Sequence, residues 1–178
     1  MIAAAAASGG DAEAVVGFRG GRGVPNSGMS DLVRTRAELR QLDTSGLTNA
    51  QKGVLGETRA SLVYQRAGYS ELDARLPSNN GFDGVFVKYG SDGNPLDIII
   101  NESKFTATGK ASLSNSNMGR QMSPEWIDAN IQKMMNSSNP SIMENGFFLD
   151  LNRSMIRPKI NVVNPQGVNG WSVLKAPQ

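Results

Sequence analysis

Two runs of alternating apolar residues on either side of a glycine-rich turn stand out along the chain. Between Gly81 and Phe105 the sequence reads GFDGVFVKYGSDGNPLDIIINESKF, which predicts two strands with the turn centred between Asp92 and Gly93. Folded antiparallel about that centre, Val85 lies opposite Ile100, Val87 opposite Ile98 and Tyr89 opposite Leu96 on one face, because side chains alternate along a strand. The other face sets Phe86 against Ile99 and Lys88 against Asp97, a charge-matched pair. The same register brings Asp83 opposite Glu102. A slip of one residue would lose every one of these matches.

Helical spacing governs the flanks. With Thr48 or Asn49 as N-cap, a helix is predicted to Ala67 and ended by Gly68. Ala50, Val54, Glu57, Ser61 and Tyr64 share one side at about 100° per residue, with Lys52, Arg59 and Arg66 on the other, solvent side. Glu57 is the odd carboxylate on the inward stripe, and an acid there needs a partner. A cation shared with the adjacent strands is the preferred reading; a rim position paired with a neighbouring arginine is the other. Ser123 caps a later helix with Pro124 at its first position, and Ile127, Ile131 and Met134 or Met135 point inward. An earlier helix is expected from Ser30 to about Leu42, with Leu32, Leu39 and Leu42 on a partial stripe and Arg34, Arg36 and Arg40 on a solvated face.

The remaining segments are shorter. Tyr69 to Leu76 reads as a strand or an extended connector leading to the turn PSNNG. GFFLDLN (146–152), PKINVV (158–163) and WSVLKA (171–176) alternate like short strands between Pro, Gly and Asn turns. They are expected to extend the sheet or to form a small meander on it. Arg153, Arg157, Lys159 and Lys175 make this end basic, suited to lining a nucleic-acid groove. The expected architecture is an α/β domain over residues 29–178, a central mixed sheet with the hairpin at its core and helices flanking it. Residues 1–28, rich in Ala, Gly and Ser, read as a flexible lead-in; for Arg19 and Arg22 there, ordinary solvated side chains are the preferred reading and phosphate contact the other.

Composition narrows the chemistry. The chain of 178 residues contains no cysteine and no histidine, which excludes disulfides, thiolate nucleophiles, Ser-His-Asp triads and histidine-ligated zinc. Acid–base work falls to carboxylates, lysine, tyrosine or water on a metal. A formal charge of +2 leaves any nucleic-acid footprint to local basic patches. No segment approaches the roughly 20 apolar residues of a membrane span, and the opening alanine run lacks the basic residues of a secretory signal. No membrane anchor is expected.

Directly opposed strand residues bring their Cβ atoms to about 4.5–5.5 Å. Two carboxylates that close repel unless one holds a proton or a cation intervenes. Lys104, two residues beyond Glu102, points to the same face, where its ammonium can hold a water or a phosphate oxygen. Two carboxylates, a lysine and a hard cation form a toolkit for phosphodiester hydrolysis.

Asp83 followed by Glu102-Ser103-Lys104 resembles the D…(D/E)xK signature of the PD-(D/E)XK, or restriction-endonuclease-like, nucleases. Phe82 stands where the family's eponymous proline would be. The resemblance implies Mg²⁺ or Mn²⁺ (Zn²⁺ also possible) on Asp83 and Glu102, helped by the Ser103 carbonyl, with Glu57 as the further helix acid and Lys104 acting on the attacking water. The stretch Gly119-Arg120-Gln121-Met122-Ser123 with Trp126 is similar to one that follows the ExK strand in some bacterial toxin nucleases of this superfamily. It implies phosphate contacts from Arg120 and Gln121, although Gln121 as a capping residue and Trp126 as core are the plain readings. From Gly56 to Met135 the order of elements looks like the C-terminal toxin domain of bacterial polymorphic toxins. That implies a nuclease carried on a larger secreted protein into the cytoplasm of competing cells and restrained by a cognate immunity protein. Arg120, Lys110 and the 153–159 segment would form the docking surface. DNA is the preferred substrate; tRNA or other RNA, and a non-catalytic metal- or protein-binding module, are the alternatives.

Overall fold

The structure, a computed structural model, describes residues 43–77, 81–106, 112–163 and, for the backbone, 169–173. The helix expected from Ser30, the lead-in, Lys110 and Lys175 lie outside these residues. Helix α1 (Asn49–Arg66) begins at Thr48, whose hydroxyl accepts the Gln51 N–H while the Gln51 side chain accepts the Thr48 N–H. This reciprocal cap satisfies two otherwise orphaned donors. Gly68, with φ of +82°, turns the chain out of the helix.

Strands β1 (Ser70–Leu72), β2 (Gly84–Tyr89) and β3 (Pro95–Phe105) follow, then the small hairpin β4 (Asn115–Ser116) and β5 (Gly119–Arg120). Helices α2 (Pro124–Met135) and α3 (Pro140–Leu151) lead through a 3₁₀ turn (Arg153–Met155) to β6 (Ile156–Val163) and β7 (Asn169–Val173). The five-stranded sheet has the order β1-β2-β3-β6-β7. All neighbours are antiparallel except β3 and β6, which run parallel. Parallel neighbours need a crossover, and α2 and α3 supply it on one face while α1 covers the other. The coarse expectation of a mixed sheet flanked by helices holds, and the C-terminal strands extend the sheet.

The β2–β3 register agrees with expectation over Val85–Ile100, Phe86–Ile99, Val87–Ile98 and Lys88–Asp97. It departs at the hairpin end, where an irregularity after Lys88 sets Tyr89 opposite Pro95 instead of Leu96. The five-residue loop Gly90–Asn94 closes on its own bonds, Gly90 N–H to the Asn94 carbonyl at 2.8 Å and Asn94 N–H to the Asp92 carboxylate at 3.0 Å. Tyr89 and Leu96 are therefore left in solvent. The two sheet faces bury different partners. Val85, Val87, Ile98 and Ile100 pack with Trp126, Ile127, Ile131 and Met134 of α2 and with Ile142 and Leu149 of α3. Phe86 and Ile99 pack under Tyr64 of α1, whose ring stacks on Phe86 at 4.4 Å.

Four expectations are corrected. Residues 146–151 are helix, not strand: Asn139 caps and Pro140 opens α3, and Ile142, Gly146 and Leu149 form a helical stripe against α2. The alternation in GFFLDL misled because Phe147 and Leu151 are simply exposed. Arg59 is buried, at 4 % exposure, because Leu55, Arg59 and Leu62 make a second inward stripe on α1. Lys88 and Asp97 are opposite in register but not an ion pair. The Asp97 carboxylate bonds Arg157 and the Tyr69 hydroxyl, while Lys88 Nζ donates to the Ala67 carbonyl at 3.2 Å. The basic end is likewise neutralised in part, since Arg153 pairs with Asp128 and Arg157 with Asp97.

At Gly146 an added Cβ would stand 2.6 Å from the Met135 nitrogen and 2.9 Å from Met134, whereas at Gly53 it would meet nothing within 4 Å. Gly146→Ala should therefore cost about 1–3 kcal/mol through forced separation of α2 and α3. Gly53→Ala should add roughly 0.5–1 kcal/mol by removing helix-interior glycine entropy. Urea denaturation midpoints measure both; equal effects would contradict the close α2–α3 contact.

Candidate active site

β3 is buried on both faces for most of its length, and its run of isoleucines ends in Asn101-Glu102-Ser103-Lys104. The pleat sends Glu102 and Lys104 to the α2 face and Asn101 and Ser103 to the α1 face. β2 begins pairing at Gly84, opposite Asn101, so Asp83 lies just beyond the ladder on the Glu102 side. Its carboxylate accepts the Ser103 N–H at 2.9 Å, taking the place of the missing strand partner. N–H and C=O of one strand residue face the same edge, so the Ser103 carbonyl also faces the end of β2.

These groups open into a cleft of about 360 Å³ at the end of the sheet. Gly53 and Glu57 of α1 bound it on one side, Trp126 and Asn130 of α2 on the other, and Gln121 lies ahead of α2. Glu102 is 3 % exposed. Burial and then the neighbouring Asp83 charge push its carboxyl up to about 8, against the opposing pull of Lys104. Lys104 Nζ lies 2.7 Å from Glu102 Oε1 and donates to Gln121 Oε1 at 3.2 Å. The ammonium is thus held between an acid and an amide.

Asp83, Glu102, Ser103, Lys104 and Gln121 come together as the sequence suggested. Glu57 lines the same cleft, but its carboxylate receives Arg75 Nη2 at 2.6 Å, the rim pairing weighed above. Among the described residues no three acidic side chains are grouped to hold a metal ion. Gln121 does not cap α2; Ser123 does, accepting the Trp126 N–H at 3.3 Å. Trp126 is buried and meets the Phe82 ring edge-on at 5.6 Å, a core role that also walls the cleft. Arg120 is exposed on β5.

The chain matches no family model, no curated protein and no solved structure. The geometry of the cleft therefore carries the functional argument. Among the described residues, no helix is long and apolar enough to cross a membrane.

Sequence reasoning missed three groups. Arg75 gave no local signal, because only the fold brings it to Glu57. Asn130 and Asn161 are both without exposed surface. Asn161 Nδ2 donates to the Gly56 carbonyl at 3.2 Å and so ties β6 to α1. Asn130 was legible: a polar residue on the stripe of Trp126, Ile127, Ile131 and Met134 is the same signal that singled out Glu57.

The raised Glu102 carboxyl has a pH consequence in metal-free protein. The folded chain keeps this proton until about pH 8, whereas an unfolded glutamate releases it near 4.5. Between those values the unfolded state binds fewer protons, so stability falls as pH rises. Glu102→Gln should remove that slope and be more stable than the unsubstituted protein at pH 8. Urea unfolding at pH 5 and pH 8 in chelator tests this, and an unchanged slope in the variant would reject the assignment to Glu102.

Proposed function

We propose that the chain is a metal-dependent nuclease of the restriction-endonuclease-like class, hydrolysing phosphodiester bonds at the cleft. One observation carries the reading: a buried glutamate is held beside Asp83 with a lysine ammonium 2.7 Å away, in an open cleft. Two acids so placed are unfavourable alone, and a divalent ion offsets their repulsion. The donor set suits a hard cation, since Mg²⁺ typically takes one or two protein carboxylates and leaves its other positions to water and phosphate. Asp83 and Glu102 would hold it, with the Ser103 carbonyl. When bound, the ion supplies Lewis acidity toward the phosphate and an acidified water.

The protein's own groups do the rest. Ionised Glu102 leaves the Lys104 ammonium close to the reacting phosphate, where it stabilises developing negative charge and orients the attacking water. Gln121 fixes the direction of that ammonium. Asp83, anchored on the Ser103 N–H, holds the β3 end in place as well as facing the cleft. Glu57, paired with Arg75, bounds the cleft on the α1 side. DNA is the preferred substrate. The sequence resemblance to polymorphic-toxin domains supports delivery on a larger carrier and a cognate immunity protein docking near Arg120, which is exposed on β5 one residue before Gln121.

Incubation with plasmid DNA and with total tRNA, in Mg²⁺, Mn²⁺ or chelator, tests the reading. Cleavage should require metal, and Asp83→Ala, Glu102→Ala and Lys104→Ala should each lower its rate by about 10²–10⁴-fold. Full activity in Lys104→Ala at saturating metal would reject the assignment. Metal-induced stabilisation without cleavage of either substrate would establish a non-catalytic binding module instead. In bacteria the unsubstituted domain should inhibit growth and Lys104→Ala should not; harmless expression of the folded, unsubstituted domain in several hosts would remove the toxin reading alone.

A further inference from the structure

Asn130 is fully buried, yet half of its amide is unused. Nδ2 donates to the Trp126 carbonyl one helical turn back, at 2.8 Å, while Oδ1 has no hydrogen-bond partner. The side chain belongs to the α2 face that packs on the Val85–Ile100 side of the sheet, and it lines the cleft with Asp83, Glu102 and Lys104. A buried acceptor without a donor destabilises a fold. Leucine, of similar size, would suit the surrounding Ile127, Ile131 and Met134 better.

The other polar groups facing the cleft show which guest is missing. Asp83 already accepts from Ser103 N–H and, like Glu102, offers carboxylate oxygens. The Lys104 ammonium is engaged by Glu102 and by Gln121. Acidic groups therefore outnumber the one ammonium on the wall that Asn130 lines. A phosphate, itself an acceptor, gives Oδ1 nothing. A hydrated divalent cation answers both needs, since its charge suits the carboxylates and its water shell donates hydrogen bonds.

We infer that Asn130 is a positioning residue for a hydrated divalent cation, its Oδ1 accepting a hydrogen bond from the cation's water shell. The inference rests on the metal site proposed on Asp83 and Glu102. Such outer contacts typically change metal affinity by 10–100-fold. The contact also accounts for retaining an amide where an aliphatic side chain would pack.

Calorimetric titration of Mn²⁺ into the full chain, with melting curves in chelator, tests it. Asn130→Leu should melt no lower than the unsubstituted protein without metal, yet bind Mn²⁺ about 10-fold more weakly. Asn130→Asp, which keeps an oxygen at this place, should bind at least as tightly as the unsubstituted protein. Unchanged affinity in a folded Asn130→Leu overturns the inference while leaving the metal site intact. Absence of Mn²⁺ binding by the unsubstituted protein overturns both. If Asn130→Leu does not fold, Asn130→Asp decides: retained affinity supports the acceptor role, and a loss of about 10-fold overturns it.

Discussion

β3 is held along both edges, antiparallel to β2 and parallel to β6, and its register sets the position of every group in the cleft. Because Ile98 and Ile100 are buried on one face and Ile99 on the other, a one-residue slip would exchange two fully packed surfaces. That penalty keeps Glu102 on the α2 side and within reach of Asp83. A carboxyl that would otherwise escape to water is thereby kept in the interior. The elevated proton affinity of Glu102 follows from the apolar packing of the strand that precedes it.

The two ends of the sheet treat buried polarity differently. At the hairpin-proximal end, Asp97 is matched with Arg157 and Tyr69, and mutual attraction offsets much of the desolvation. About 13 Å along β3 from Asp97 to Asn101, taking roughly 3.3 Å per residue, begins a region in which Asn101, Asn130 and Asn161 each keep a buried oxygen without a partner. Glu102 there resists ionisation. Three orphaned amide oxygens gather toward the cleft end, and local breaches of polar satisfaction are characteristic of functional sites. The orphaned Asn130 oxygen and the buried Glu102, both lining the cleft, support treating it as a site and not as a packing accident.

Close packing around that end leaves little freedom. At Gly56 α1 lies against Ser103, where a Cβ would sit in ordinary contact at 3.4 Å, and the Gly56 carbonyl receives Asn161. On the opposite face Gly146 brings α3 against α2, which carries Trp126 and Asn130 into the cleft wall. Met122, buried and with φ of +69°, joins β5 to α2 in a conformation uncommon for a side-chain-bearing residue. Rigid elements on both faces thus fix the directions of Asp83, Lys104 and Gln121 before any ligand arrives.

Local pattern determined much of this protein. The β2–β3 register from Val85 to Lys88, the Thr48 and Ser123 caps, and the association of Asp83 with Glu102 and Lys104 all follow from alternation and short-range capping, because both partners lie within one hairpin or one helical turn. Tertiary structure decided the rest. Whether Phe147 and Leu151 belonged to a strand or a helix depended on α2, which gives Ile142, Gly146 and Leu149 a surface to pack on. Asp97 chose Arg157 over Lys88 because β6 lies beside β3, a neighbour 60 residues away. Glu57 met Arg75, and Arg59 was buried, because α1 is covered on more than one side. Side-chain periodicity records which residues turn inward. Which partner waits there is set by contacts between distant segments, and those exist only once the sheet has closed around β3.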